Sequence, residues 1–281
     1  MKGRRPRRFR WTLLVGAVLV VAFVAAALLA PALAPHDPTE QLLERRLDGP
    51  SAAHLFGLDE LGRDVLSRLL HGARVSLAVA LSVVGLAALL GTALGAVAGY
   101  LGGRVDSLLM RATDVFLAFP GILLAIALVA VLGPALSHLV LALVVFGWVD
   151  YARLVRGQVL QLREREFVLA ARALGVPGRQ VVVRHLLPSL LPVLVVQASL
   201  GMAGAILAEA GLSFLGLGLQ PPTPSWGAMI DAGRAHLLDA PHLALAPGAA
   251  IFLTVMGLNF LGDGLADRLD PRGGRPLPRS I

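Results

Sequence analysis

One stretch decides the fold: residues Val115 to Val149, which read VFLAFPGILLAIALVAVLGPALSHLVLALVVFGWV. None of its 35 residues is Asp, Glu, Lys or Arg. A helix crosses a hydrocarbon core about 30 Å thick in about 20 residues, so the stretch is too long for one ordinary span. Because proline cannot donate a backbone hydrogen bond and disfavours helix in the residue before it, Gly133-Pro134 predicts two helices joined by a tight turn.

Four further uncharged runs are each long enough to span a bilayer: Trp11 to Ala34, Val75 to Gly103, Leu186 to Ala208 and Ala240 to Gly262. Of the 281 residues, 56% are hydrophobic and 15% are charged, whereas a soluble domain has about 45–50% and about 25%. We therefore predict an all-α polytopic membrane protein. Its six transmembrane helices are expected at about residues 12–34, 75–100, 113–132, 136–157, 188–210 and 243–265.

The positive residues predict how the spans are oriented. With the N-terminus inside, 19 of the 25 Lys and Arg residues fall in cytoplasmic segments. That asymmetry predicts both termini in the cytoplasm. The first span has an alternative interpretation, because its basic start and Ala32-Leu33-Ala34 resemble a cleaved secretory signal. Its apolar stretch is longer than the roughly 7–15 residues of such signals, which favours a retained span.

Composition excludes several classes of function. The chain has no Cys, so disulfides, thiol nucleophiles and sulfur-ligated metals are impossible. Its single lysine is Lys2, so a phosphate-binding loop ending in Gly-Lys-Ser/Thr is absent. The seven histidines form no His-x-x-x-His pair, and we expect neither a metal site nor a catalytic residue. The net charge of +7 reflects bilayer orientation rather than nucleic-acid binding.

The outside segment, Pro35 to Arg74, contains a helical pattern. Residues 62–70 place apolar side chains at helical spacing after Asp64, which is suited to cap the helix. We favour an amphipathic helix that rests on the membrane or on neighbouring spans over a ligand site.

The second span contains a row of small residues. Gly91, Gly95 and Gly99 recur every four residues, and Ala87 continues the row. Small residues on one helix face let another backbone approach closely in lipid. The pattern predicts helix packing, against this chain or another subunit.

Four acidic residues lie at or near the predicted span ends: Asp114, Asp150, Glu209 and Asp263. Each is a candidate for substrate contact, although such groups commonly reach water or pair with arginine. Asp150 can pair with Arg153 along one helix face. The expected lack of a charge in mid-span weighs against an ion-coupled secondary transporter, whereas a membrane-anchored receptor or scaffold stays open.

The cytoplasmic segment from Arg163 to Pro192 is the most informative. One face of its first helix is shared by Phe167, Ala170 or Ala171, and Leu174. Gly175 is placed to end that helix in a left-handed cap, and Val176-Pro177-Gly178 turns the chain into a second helix from about Arg179. An apolar face on so short a loop cannot form a core of its own. We therefore favour a docking element for a soluble partner over a plain surface hairpin.

The same segment carries a family resemblance. Glu166 to Gly175 (EFVLAARALG), nine further residues and His185 to Pro188 (HLLP) resemble the EAA loop of ABC-importer permease subunits. Three other motifs are similar to the C-type permease of dipeptide/oligopeptide/nickel importers: Gly57 to Leu77, Glu209 to Gly227 and Asn259 to Pro271. Two positions depart from the pattern, since Leu169 replaces the usual glutamate and Leu58 the usual threonine of Gly-Thr-Asp.

The resemblance implies a type I ABC importer (MetI-like) permease fold and a set of partners. These are a second homologous permease, two cytoplasmic ATPases that bind the ATP, and an extracytoplasmic solute-binding protein. The permease itself would hold no cofactor. The short helix of the EAA loop would fit a cleft on the ATPase. The residues implied in this coupling are Glu166, Phe167, Ala170, Ala171, Leu174, Gly175 and Pro188.

The resemblance also implies an organisation along the chain. Residues 1–72 would hold the first span and the outside amphipathic segment, residues 73–266 the permease domain with its coupling loop at about 163–188, and residues 267–281 a cytoplasmic tail. The chain would form half of a pathway for di/oligopeptides, nickel or a related solute in a bacterial or archaeal inner membrane. The proline-stiffened outward segment Ser213 to Trp226 would face the binding protein or gate the pathway, or serve as a plain linker.

Overall fold

The computed structural model describes residues 7–269, with side chains from Trp11 onward. Its regular structure is helical, and no strand occurs among these residues. The α-helices are α1 (Arg7–Leu33), α2 (Val65–Leu101), α3 (Gly103–Leu117), α4 (Gly121–Leu132), α5 (Leu136–Leu162), α6 (Glu166–Ala173), α7 (Gly178–Val181), α8 (Leu187–Phe214), α9 (Trp226–Gly233) and α10 (His242–Leu269). One turn of π-helix, Val182–Leu186, joins α7 to α8. Most of the predicted tail, 267–281, lies outside the described residues.

The membrane-crossing part agrees with the predicted six spans. Five stretches of the described chain are long and apolar enough to cross a membrane, namely α1, α2, α5, Gly178–Phe214 and α10. The sixth is the pair α3 and α4, counted as one span although its two helices are bent by 79°. The all-α, six-span class is therefore confirmed.

The third span is broken, and the expectation of one continuous helix over 113–132 is wrong. Residues 118–120 separate α3 from α4. Pro120 explains the break, because it disfavours helix at Phe119 and has no N–H to continue the hydrogen-bond ladder. Similar chemistry produces the predicted turn at Gly133-Pro134, where Gly133 has a φ of +90°.

The second span begins earlier than predicted, because α2 starts at Val65. The separate amphipathic helix expected over 62–70 is therefore wrong, and most of those residues form the first turns of α2. Asp64 caps the helix as predicted, since its carboxylate accepts a hydrogen bond from the Ser67 N–H at 2.7 Å. Arg68 lies within the first turns of this helix, where its side chain is buried and forms an ion pair with Asp59.

A buried polar group attaches the outward segment, residues 34–64, to the start of α2. Nδ1 of His54 lies 3.0 Å, and Nδ1 of His36 lies 3.5 Å, from the same carboxylate oxygen of Asp64. Two imidazoles and a carboxylate are also ligand types for metals. However, the Arg45 guanidinium lies 3.4 Å from Nε2 of His54 and opposes a cation there. We interpret the group as a hydrogen-bonded attachment.

The first helix is an integral part of the fold. A Cβ atom at Gly16 of α1 would lie 2.5 Å from the backbone nitrogen of Leu261 in α10. At the outward end, the ring of Phe23 lies 5.8 Å from the ring of Trp226. Because α1 packs this closely, its contacts favour a retained span over a cleaved signal.

The glycine row of α2 faces α5 of the same chain. Gly91, Gly95 and Gly99 are buried. A Cβ atom at Gly95 would lie 2.4 Å from the backbone oxygen of Ala152, and one at Gly91 would lie 2.4 Å from that of Trp148. The absence of these Cβ atoms lets the two backbones touch, as small-residue rows do in lipid.

We predict that Gly95→Ala lowers the stability of the protein by roughly 1–3 kcal/mol, because the added Cβ meets a backbone oxygen that can move only if the helices separate. Gly85→Ala is the matched control in the same helix, since a Cβ there meets no atom within 4 Å. It should be neutral or slightly stabilising. Thermal unfolding in detergent measures both variants, and equal midpoints would contradict the close packing.

Candidate functional site

The α6 hairpin, residues 163–190, is attached to the spans by one face of α6. Val168 and Ala171 are buried on this face. They pack in one cluster with Val155 and Val159 of α5 and with Leu186. The short loop therefore joins the core at the ends of the spans, a contact that sequence reasoning did not anticipate.

The other face of α6 is uncovered by the described chain. Phe167 and Leu169 are 45% and 47% exposed, and Leu174 is 84% exposed. Ala170 is also exposed, whereas Ala171 is buried. The sequence left open whether Ala170 or Ala171 shares a face with Phe167 and Leu174, and the exposed residue is Ala170. Such an exposed apolar surface is typical of a contact with another protein.

Gly175 ends α6 in the left-handed conformation, with a φ of +77°, as predicted. Its N–H donates to the carbonyl of Arg172 at 2.9 Å, and the N–H of Val176 donates to the carbonyl of Ala171 at 3.1 Å. These two bonds close the C-terminal end of the helix and reverse the chain.

Two arginines connect the α6 hairpin to the end of α2. The Arg163 guanidinium donates to the backbone oxygen of Gly99 at 3.0 Å. The Arg172 guanidinium lies 4.8 Å from the centre of the Tyr100 ring, within the range of a cation–π contact. The hairpin is thus held by α2 as well as by α5.

The remaining predicted coupling residues lie at the two ends of the hairpin. Glu166 is exposed at the start of α6, and Pro188 is exposed at the start of α8. The π turn ends at Leu186, two residues before Pro188, which has no N–H for the carbonyl of Arg184. The second helix begins at Gly178, one residue before its predicted start.

We predict that Gly175→Val loosens the α6 hairpin by about 1–2 kcal/mol, because a β-branched residue is strained at positive φ. Gly175→Asn is the control, since Asn tolerates this conformation. A Cβ here meets no atom within 4 Å, so the comparison isolates the backbone. Amide hydrogen exchange over residues 166–178 should rise only in the Val variant; an equal rise in both would contradict the role of the cap.

One of the four predicted acids, Asp114, and a further acid, Asp106, form ion pairs between α3 and α5. Asp114 binds the guanidinium of Arg153, so Arg153 is not paired with Asp150 as the sequence suggested. Asp106 binds Arg156 through two hydrogen bonds, one of 2.7 Å. These pairs hold α3 on α5.

Glu209 is buried and hydrogen-bonded between two helices. Its side chain accepts hydrogen bonds from Ser213 at 2.8 Å and from Ser76 at 3.3 Å. Because Ser76 belongs to α2, these bonds join α2 to α8. Glu209 is only 1% exposed, which leaves it no access to a transported solute.

Asp150 occupies a different environment. It is exposed and lines a cavity of about 310 Å³ between α2, α5 and α8. It lies 14 residues after the first residue of α5 and 12 before the last. Arg153 and Arg156 follow Asp150 within two turns of α5, so Asp150 lies towards the arginine-bearing end of this span.

The outward segment Ser213 to Trp226 is divided between surface and core. Trp226 is 3% exposed, and its indole N–H donates to the backbone oxygen of Leu69 at 2.9 Å. Gln220 hydrogen-bonds within its own loop, to the carbonyl of Gly216 at 3.1 Å. A contact with another protein through this segment would involve the loop before Trp226 rather than the indole.

Comparison with known proteins decides the family. Residues 91–274 match the family described as binding-protein-dependent transport system inner membrane component, and residues 8–50 match the N-terminal TM domain of oligopeptide transport permease C. This chain belongs to that family of ABC-importer permeases. The family resemblance is confirmed, and the permease is a multi-pass subunit of a transporter that works with ATPase and binding-protein partners.

Individual relatives are similar over almost their full length. The dipeptide transport system permease protein DppC of Alkalihalophilus pseudofirmus is 45% identical over 259 residues, which is 92% of this permease and 85% of DppC. The glutathione transport system permease protein GsiD of Shigella dysenteriae is 46% identical over 269 residues, 95% and 89% of the two chains. GsiD of Pectobacterium atrosepticum is 45% identical over 256 residues, 91% and 85% of the two chains.

Proposed function

We propose that this permease forms half of the translocation pathway of an ABC importer for di/oligopeptides or a related solute, and that the α6 hairpin couples it to cytoplasmic ATPases. The observation that carries the coupling is the uncovered apolar face of α6, made by Phe167, Ala170 and Leu174 within the EAA segment. Leu169 adds apolar surface at the position of the motif's usual glutamate.

The two faces of α6 provide a physical route for the coupling. The outer face is free to bind the ATPase, while Val168 and Ala171 of the inner face are packed on α5 and the start of α8. Because closely packed side chains transmit displacement, movement of the ATPases on binding ATP would move the hairpin together with these spans. Gly175 holds the turn that keeps both faces in place.

The proposed complex contains this permease, a second homologous permease, two cytoplasmic ATPases and an extracytoplasmic solute-binding protein. The ATPases bind the ATP, and this chain supplies no cofactor, metal or catalytic residue. The cargo class is supported by relatives named for dipeptides and glutathione. Both termini of the permease lie in the cytoplasm in this arrangement, and nucleic acid has no part in it.

Substitution of Leu174 tests the coupling. Leu174→Asp should weaken copurification of the ATPases at least tenfold, because a charge would replace exposed apolar surface at the contact. Leu238→Asp is the matched control, since Leu238 is 98% exposed at the opposite end of the spans. Unchanged ATPase copurification and ATP-driven uptake in Leu174→Asp would overturn the coupling role.

Single cysteines test the orientation, because the natural chain contains none. Leu174→Cys should react with a membrane-impermeant maleimide only in inside-out vesicles, and Leu238→Cys only in right-side-out vesicles. In vesicles that lack the ATPases both side chains are largely exposed, so burial does not limit the reaction. The reverse pattern would place the α6 hairpin outside the cell, where no ATPase could reach it.

A further inference from the structure

Of the four acids singled out in the sequence, Asp150 is set apart by its surroundings. Asp114 is ion-paired with Arg153, and Glu209 is buried with serine partners. Asp263 is exposed in the last two turns of α10. Asp150 lines a cavity within a span, and no side chain of the described residues donates a hydrogen bond to it or forms an ion pair with it.

The position of Asp150 makes its free carboxylate informative. Asp150 lies within α5, one turn before Arg153, and it lines the cavity. An ionised group that faces hydrocarbon is costly, so acids within spans face water-filled cavities or partner groups. The open side of the cavity therefore belongs to a water-accessible part of the assembly.

The cavity has both space and polar groups. Gly204 of α8 lines its wall, and a Cβ atom there would meet no atom within 4 Å, which leaves room for another molecule. The Tyr151 hydroxyl donates to the backbone oxygen of Gln197 at 3.4 Å. The side chain of Gln197 also lines the cavity, and its carboxamide has no hydrogen-bond partner among the described residues. A volume of about 310 Å³ suits the end group of a small solute, because ligand pockets begin at about 300 Å³.

We propose that Asp150 and the Gln197 carboxamide form a subsite that binds the primary ammonium group of the cargo as it passes through the permease. This inference rests on the proposed function and names the chemical group that the pathway recognises. A carboxylate without a cation in a membrane cavity attracts an ammonium group, and the amide oxygen of Gln197 accepts a second hydrogen bond from it. Peptides with a free N-terminus carry that group.

Transport by the complete complex in proteoliposomes tests the subsite. The probes are the dipeptide Ala-Phe and N-acetyl-Ala-Phe, which lacks the ammonium group. Asp150→Asn should lower the ratio of Ala-Phe to N-acetyl-Ala-Phe uptake at least tenfold, since hydrogen bonds between charged groups contribute that much. Asp263→Asn removes the same charge outside the cavity and should leave the ratio as in the wild type.

The ratio separates this inference from the proposed function. All variants use the same binding protein, so its preference between the peptides cancels when their ratios are compared. A wild-type ratio in Asp150→Asn would overturn the subsite while transport itself continues. A wild-type complex that takes up neither peptide and retains no ATPase would instead refute the proposed function.

Cysteine labelling gives a second test that does not depend on uptake of the acetylated peptide. Asp150→Cys should react with a cationic methanethiosulfonate, and Ala-Phe with the binding protein should slow the reaction. Val149→Cys is the control, because Val149 is 1% exposed. No reaction of the Asp150→Cys variant in any nucleotide state would place Asp150 against lipid or the second permease. A reaction that Ala-Phe does not slow would show that water, but not the cargo, reaches this position. Either result overturns the subsite.

Discussion

The contact between the backbones of α2 and α5 is the constraint on which the rest of the permease depends. It exists because Gly91, Gly95 and Gly99 have no side chains to separate the two helices. It sets the position of α5, and α5 in turn carries Arg153 and Arg156 to α3 and Val155 and Val159 to the α6 hairpin. In lipid there is no hydrophobic force between helices, so such close approach supplies the attraction that water supplies in soluble proteins.

Several acidic groups of the spans have partners within the described chain. Asp106 and Asp114 have arginine partners, and Glu209 has serine partners on its own helix and on α2. These groups are satisfied inside the chain and act as attachments between helices. Asp150 is not satisfied there, although it lies on the same helix as both arginines. The difference is geometrical, because Asp150 faces the cavity while Arg153 and Arg156 face α3.

Local sequence signals predicted much of this architecture. Uncharged runs indicated the spans, Gly133-Pro134 indicated a turn, and Gly175 indicated a left-handed helix end. Each of these depends on residues close together in the chain, where composition and backbone preference decide the outcome. The EAA segment, with its spacing to Pro188, was likewise a short-range pattern and led directly to the family.

The features that sequence reasoning missed depend on contacts between distant residues. Ser76 and Glu209 are 133 positions apart, and His36 and His54 meet at Asp64 although no short spacing joins them. The inward position of Ala171 depends on α5, and the burial of Arg68 depends on Asp59. Pro120 could have indicated the break in the third span, but its effect was outweighed by the uncharged residues around it.

The bend between α3 and α4 has a consequence for the surrounding lipid. The 12 residues of α4 extend only about 18 Å, well short of a hydrocarbon layer about 30 Å thick. If α4 runs along the bilayer normal, the angle of 79° turns α3 almost parallel to the membrane plane. The lipid acyl chains beside this corner must then shorten or tilt, which costs elastic energy in that leaflet. The conformational energy of the permease therefore depends on the length of the lipid acyl chains.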